Sequence, residues 1–188
     1  SSTNPVYVAG RDNGGQAGGS SSVNGFGIHA SGSFLIVLKN GSSAPCVQPP
    51  SSASGCEIMI FDISSSTNPI LRSAIDSAGS MTGATTEEVR RAVLKGNYIY
   101  AVKSGSIAAC SQIAGSATGC DLLVIDISST TNPVYVAGRD ASGSDSGATS
   151  LISTSIVIKD DFLFMGRNGN ATACSQVAGS AVGCELMV

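Results

Sequence analysis

Six cysteines are the residues whose spacing says most about chemistry. Cys46, Cys110 and Cys174 stand 64 residues apart, and Cys56, Cys120 and Cys184 keep the same step. Repeat symmetry points to three equivalent disulfides, Cys46–Cys56, Cys110–Cys120 and Cys174–Cys184. By the chain-entropy argument each such loop closure is worth roughly 2–3 kcal/mol. A metal reading lacks ligands, because no Cys-x-x-Cys occurs and His29 is the only imidazole. Redox catalysis fails on the same spacing. Disulfides place the protein in an oxidising, extracellular setting.

The remaining polar groups offer weaker chemistry. Asp12, Asp140 and Asp145 lie in Gly- and Ser-rich loops and could supply oxygen ligands to calcium, but without EF-hand spacing. Solvated turns are the expectation there. Asp62 and Asp126 each close an apolar run just before a turn, where an aspartate accepts hydrogen bonds from turn amides. His29 has no nucleophile at motif spacing, and Val93 and Val157 hold its place one and two periods on. It reads as a packed or edge strand residue rather than a general base. Asn40-Gly41-Ser42 and Asn170-Ala171-Thr172 are N-glycosylation sequons in loops. No cofactor is implied.

Composition narrows the classes further. Of 188 residues 42% are hydrophobic and only 12% charged, against about 25% charged in a typical domain. Ten basic and thirteen acidic residues, with no basic cluster, exclude a nucleic-acid footprint. The longest apolar runs, such as 34–38 and 122–125, are far too short to insert in a membrane as helices. No charged stretch followed by an apolar one opens the chain, so a signal peptide is expected to have been removed or to lie outside this sequence.

The elements that must position these groups follow from the repeat. Thr3-Asn4-Pro5 returns as Thr67-Asn68-Pro69 and Thr131-Asn132-Pro133, in step with the cysteines. Three units result, 1–64, 65–128 and 129–188, and the last falls four residues short of the period. Each reads as four short strands. The first follows the Asn-Pro turn (5–10, 69–74, 133–138), the second precedes a tight turn, the third is 34–38, 98–102 or 162–165, and the fourth is 57–63, 121–127 or 185 onward. β-Branched and aromatic residues bounded by Gly, Asn, Asp and Pro carry this assignment. Residues 85–94 hold a capping-box-like Thr85-x-x-Glu88, but their counterparts are rich in Gly, Ser and β-branched residues. The expectation is a strand preceded by one helical turn. Tyr98 and Tyr100 occupy core positions by alignment with Phe34, Ile36, Phe162 and Phe164. Third and fourth strands are apolar at nearly every position, which calls for sheets covered on both faces. The fold class is therefore all-β: tandem four-stranded antiparallel blades, β-propeller-like, in three 64-residue repeats.

Leu122-Leu123-Val124-Ile125-Asp126-Ile127-Ser128 followed by Asn132-Pro133, and Ile58-Met59-Ile60-Phe61-Asp62-Ile63-Ser64 followed by Asn68-Pro69, resemble the LVIVD-repeat family. The resemblance spans the chain in three registers, and Gly96-Asn97-Tyr98-Ile99-Tyr100-Ala101-Val102 is similar to that family's third strand. It implies a secreted or surface-attached β-propeller and no shared catalytic residues. The longer repeat and the cysteine pairs depart from it.

Three blades are fewer than the four to eight or so that close a propeller, and repeat arrays need capped ends. The first unit opens at strand one and the last stops inside strand four, so completion is expected from copies of the chain or from the rest of a longer parent chain. The functional expectation is a non-enzymatic extracellular structural protein: a surface layer, fibre or adhesive module. The alternative is a ligand-binding or hydrolytic propeller with a calcium-assisted site at Asp12, Asp140 and Asp145.

Overall fold

The computed structural model describes residues 9, 11, 15, 25–49, 53–147, 149–168, 172–177, 181 and 183–188. Its described part is all-β. The first sheet contains β1 (Gly25–Ser31), β2 (Phe34–Lys39), β3 (Ile58–Asp62) and β4 (Ile70–Ile75). The second group is β5 (Val89–Lys95), β6 (Tyr98–Ser106), β7 (Leu122–Asp126) and β8 (Val134–Arg139). The third comprises β9 (Thr149–Lys159), β10 (Phe162–Arg167) and β11 (Leu186–Met187). Every pairing is antiparallel between chain neighbours, except that β9 also pairs with the end of β6 through Ser104↔Ile152 and joins the last two groups into one seven-stranded sheet. No helix among the described residues is long and apolar enough to cross a membrane.

Local sequence explains the hairpins. The β1–β2, β5–β6 and β9–β10 turns place Gly32, Gly96 and Asp160 at φ of 57°, 58° and 53°. Glycine enters that left-handed region at no steric cost, and aspartate tolerates it better than most side chains. Registers repeat with the sequence: Ile58↔Ile75 becomes Leu122↔Arg139, and the shift at Ile60/Phe61 returns at Val124/Ile125.

The sheets are out of phase with the 64-residue units. β4 belongs by sequence to the second unit but forms the fourth strand of the first sheet, and β8 stands in the same relation to the second group. Each complete sheet therefore borrows its outer strand from the unit that follows. The helical turn expected before β5 is absent. Ser42 and Thr85 instead form a β-bridge, with Ser42 N donating to the Thr85 carbonyl at 3.0 Å, because tertiary pairing overrides a weak local preference.

Side chains alternate across each strand, so each sheet has two faces. Ile36, Leu38, Ile58 and Ile60 of the first sheet form one core with Ile99, Ala101, Leu123 and Ile125 of the second group. The opposite face of the first sheet, with Met59 and Phe61, packs with Cys46, Cys56 and Ala74 in a smaller core. The same order continues onward: Leu122 on the far face of the second group and Leu163, Met165 and Met187 of the third line one cavity of about 210 Å³. β1 lies against β5, and β5 against β9. Continuous apolar runs thus correspond to two-sided burial in the first sheet. The third group departs from that expectation, since Leu186 is 62% exposed and Val188 73%.

Candidate functional site: buried charges and the disulfide loops

All three disulfides pair as the repeat implies, Cys46–Cys56, Cys110–Cys120 and Cys174–Cys184. Each closes the loop between the second and third strands of its sheet. Asp62 and Asp126 hold their turns as expected, accepting from Ser64 N at 2.9 Å and Ser128 N at 2.7 Å. Arg72 bonds Asp62 at 2.7 Å, and this bond pulls the carboxyl down to about 2. His29 is half-buried on the edge strand β1. Asn40 is half-buried after β2, and its Oδ1 is sealed from solvent. Asn170 and Asp12 lie outside the described residues. Tyr98 is exposed rather than core, because it opens β6 directly after the turn.

Asp140 is not in a solvated turn. It is fully buried, and its Oδ1 accepts from Ser142 N at 3.0 Å, Ser142 Oγ at 2.8 Å and Ser144 N at 2.8 Å. Asp76 does the same one period earlier, with Ala78 N at 3.2 Å and Ser80 N at 2.7 Å, and burial pushes its carboxyl up. A side chain at Gly147 would start 2.1 Å from Asp140 Oδ2, which is why that loop needs a glycine. Asp140 is thus occupied by its own loop, whereas Asp145 is exposed. Among the described residues no cluster of three or more His, Cys, Asp or Glu side chains is gathered for a metal ion.

The residues that sequence reasoning missed are the charges inside. Lys39, Lys103 and Arg167 are all buried: Lys39 and Arg167 close the second strands β2 and β10, and Lys103 lies three residues before the end of β6. Glu57, Asp121 and Glu185 sit opposite, their carbonyls accepting from the backbone N–H of those three cations at 2.9 to 3.0 Å. Both sets follow the 64-residue step, as do Asp76 and Asp140. That periodicity was the available signal: in a chain with so few charges, charges in step mark structure.

Lys103 shows what these groups do. Its ammonium donates to the Ser77 carbonyl at 2.7 Å, to the Ala117 carbonyl at 2.5 Å and to the Glu87 carboxylate. One ion therefore ties the disulfide loop of its own unit to the crossover that leaves the first sheet. Burial pulls the lysine down and pushes Glu87 up, and the two offset one another in contact. Glu57 accepts from Ser42 N at 3.0 Å and Ser77 N at 2.8 Å, and Asp121 from Ala141 N at 2.7 Å. Burial pushes both carboxyls up to about 8.

A second device secures the outer strand. Gln112 pairs both ways with Gly138 of β8: Nε2 donates to its carbonyl at 3.2 Å, and Oε1 accepts from its N–H at 3.1 Å. Gln48 treats Ala74 of β4 identically, at 2.8 and 3.2 Å. Tyr135 of β8 donates to the Ser111 carbonyl at 2.8 Å and rests its hydroxyl 3.6 Å from Cys120 Sγ. The disulfide loop thus grips the strand that the next unit supplies. Chemically, these groups fix geometry: the buried carboxylates are engaged by backbone amides and the buried ammonium by oxygens. Compared with known proteins, the chain matches no family model and no curated protein.

Proposed function

We propose that this chain is a non-enzymatic, extracellular structural protein whose sheets are blades of β-propeller type and which assembles head to tail with copies of itself into a surface layer, fibre or adhesive module. The observation that carries the reading is the stacking order: β1 lies against β5 and β5 against β9, and the first sheet buries one face against the second group and the other in a separate core. Sheets that stack in step with the sequence are directional, each presenting one face to the sheet before it and the opposite face to the sheet after. Directional contacts of this kind generate rings when the rotation closes and filaments when it does not.

Three further features support it. The disulfide in each unit suits a protein that lives outside the reducing cytosol. Scarce surface charge lowers the desolvation cost of packing copies together. The LVIVD resemblance points to a surface location as well. Size-exclusion chromatography with light scattering, followed by electron microscopy of the same fractions, tests the proposal. Concentration-dependent species with a repeating subunit are expected. A monodisperse monomer at every concentration refutes it.

A further inference from the structure

Lys103 differs from its periodic counterparts in what it faces. One period away on either side, the position of Glu87 is held by Val23 and Leu151, and Arg167 has no amine to act as a nucleophile. Lys103 is completely buried, and its nitrogen meets the Ser77 carbonyl at 2.7 Å, the Ala117 carbonyl at 2.5 Å and Oε2 of Glu87. A carbonyl oxygen only accepts. The two carbonyls therefore take two N–H bonds, and the third direction of the tetrahedral nitrogen is left for the Glu87 carboxyl. We propose that Lys103 Nζ and Glu87 Cδ join as an amide, a covalent staple that the folded chain makes from its own side chains. The proposal does not depend on self-assembly.

The step balances without any added reagent. In the neutral amine the third direction is a lone pair, which attacks Cδ of the protonated Glu87 carboxyl. One N–H proton passes to the carboxyl hydroxyl, the C–O bond breaks and water leaves. An N–C bond has formed, and nothing is oxidised or reduced. The surroundings favour those protonation states: burial pulls the lysine down and pushes Glu87 up, and the charge of Asp76 pushes Glu87 further. Asp76 adjoins Ser77 in the chain and is itself fully buried, with Oδ2 unpartnered among the described residues. Holding amine and acid in contact removes the entropic cost of bringing them together. Joining them also replaces a buried ion pair, with its desolvation penalty, by a neutral amide. Glu87 keeps 17% of its side chain exposed, which gives the released water a way out.

The position makes the bond structural. Lys103 stands opposite Val89 in the β5–β6 ladder, and Ser104 N donates to the Glu88 carbonyl at 3.0 Å, so the amide closes the open end of that hairpin. Glu87 ends the crossover from the first sheet, two residues beyond the bridge between Ser42 and Thr85. Ala117, which holds the lysine from the other side, belongs to the Cys110–Cys120 loop. The staple thus ties that crossover to the second group with a bond that reducing agents do not cut.

Intact mass of the purified full chain tests the proposal. With its three disulfides accounted for, the folded protein is expected to be lighter than its sequence by one further water, and reduction with alkylation should leave that deficit in place. Trypsin does not cut after an acylated lysine, so digestion should yield residues 73–90 joined to residues 96–139 as one branched peptide. Fragmentation of that peptide should place the link at Glu87 and not at Glu88. Glu87→Leu, which installs the residue of the third unit, should restore the full mass and release 96–103 and 104–139 separately. A folded, disulfide-bonded chain that keeps its full mass after prolonged incubation at neutral pH holds an ordinary ion pair, and overturns the proposal. A deficit that persists in Glu87→Leu, or that maps elsewhere, overturns it too. If Glu87→Leu fails to fold, the branched peptide of the unmodified chain, present or absent, decides alone.

Discussion

The second and third groups of strands carry nearly the same disulfide loop, yet one is enclosed and the other open. Their disulfide loops differ only at Ile113/Val177 and Thr118/Val182. Cys110 is nonetheless buried and Cys174 exposed. Leu122 is half-buried beneath a neighbour, and Leu186 stands 62% exposed. The cations differ most. Lys103 has three oxygen acceptors, whereas Arg167 donates through Nε to the Cys184 carbonyl at 2.5 Å and its two terminal nitrogens have no partner among the described residues. The comparison teaches that burial here is conferred by the neighbouring sheet and not by residue type.

Substitution of the two cations breaks the comparison most sharply. Lys103→Met strands Glu87 and two carbonyls, and should cost about 3–5 kcal/mol, whereas Arg167→Met removes a buried guanidinium whose terminal nitrogens have no acceptor among the described residues and should change stability by under about 1 kcal/mol. Urea unfolding of both variants measures the difference, and equal losses would contradict the account. The disulfides come next. Removing Cys110–Cys120 should cost roughly 2–3 kcal/mol, and graded reduction should open Cys174–Cys184 first because Cys174 is solvent-accessible. Alkylation followed by peptide mass mapping gives the order.

A third effect is pH-dependent. Glu57 and Asp121 keep their protons up to about 8 in the folded protein, while the unfolded chain releases them near 4. Between those values the folded state binds more protons, so stability falls as pH rises from about 4 to about 8 and levels off above. A loss on the order of 4–8 kcal/mol between pH 5 and pH 8.5, at about 1.4 kcal/mol per group and pH unit, is expected by urea titration. Asp121→Asn should flatten part of that slope, with Glu185→Gln, on a solvated carboxylate, as the control. The smallest effect is Tyr135→Phe, which removes the bond to the Ser111 carbonyl and should cost about 1 kcal/mol. Thermal melts detect a change of that size.

Much of this architecture is legible in the residues. Asn-Pro turns, apolar runs and cysteines in step specify β3, β4, β7 and β8, the disulfide pairing and the roles of Asp62 and Asp126. The phase of the sheets is not legible, because a repeat can be cut at any point without altering its period, and only hydrogen bonding shows that β4 belongs with β3. Buried charge was hidden for a related reason. Lys39, Lys103 and Arg167 have side chains that ordinarily seek water, and nothing local announces that the disulfide loop beyond each strand will take them in, through the carbonyls of Ala53, Ala117 and Cys184. Asp140 was misread because a Ser- and Gly-rich loop has the composition of a solvated turn, although here its amides fold inward around a carboxylate.

The unbroken 64-residue step has a genetic consequence. Duplicating or deleting a whole 64-residue stretch in frame, wherever the cut falls, leaves every ladder with a partner of the same kind, since the order and spacing of successive strands are unchanged. Array length can therefore change in a single recombination event, without any new interface having to be invented.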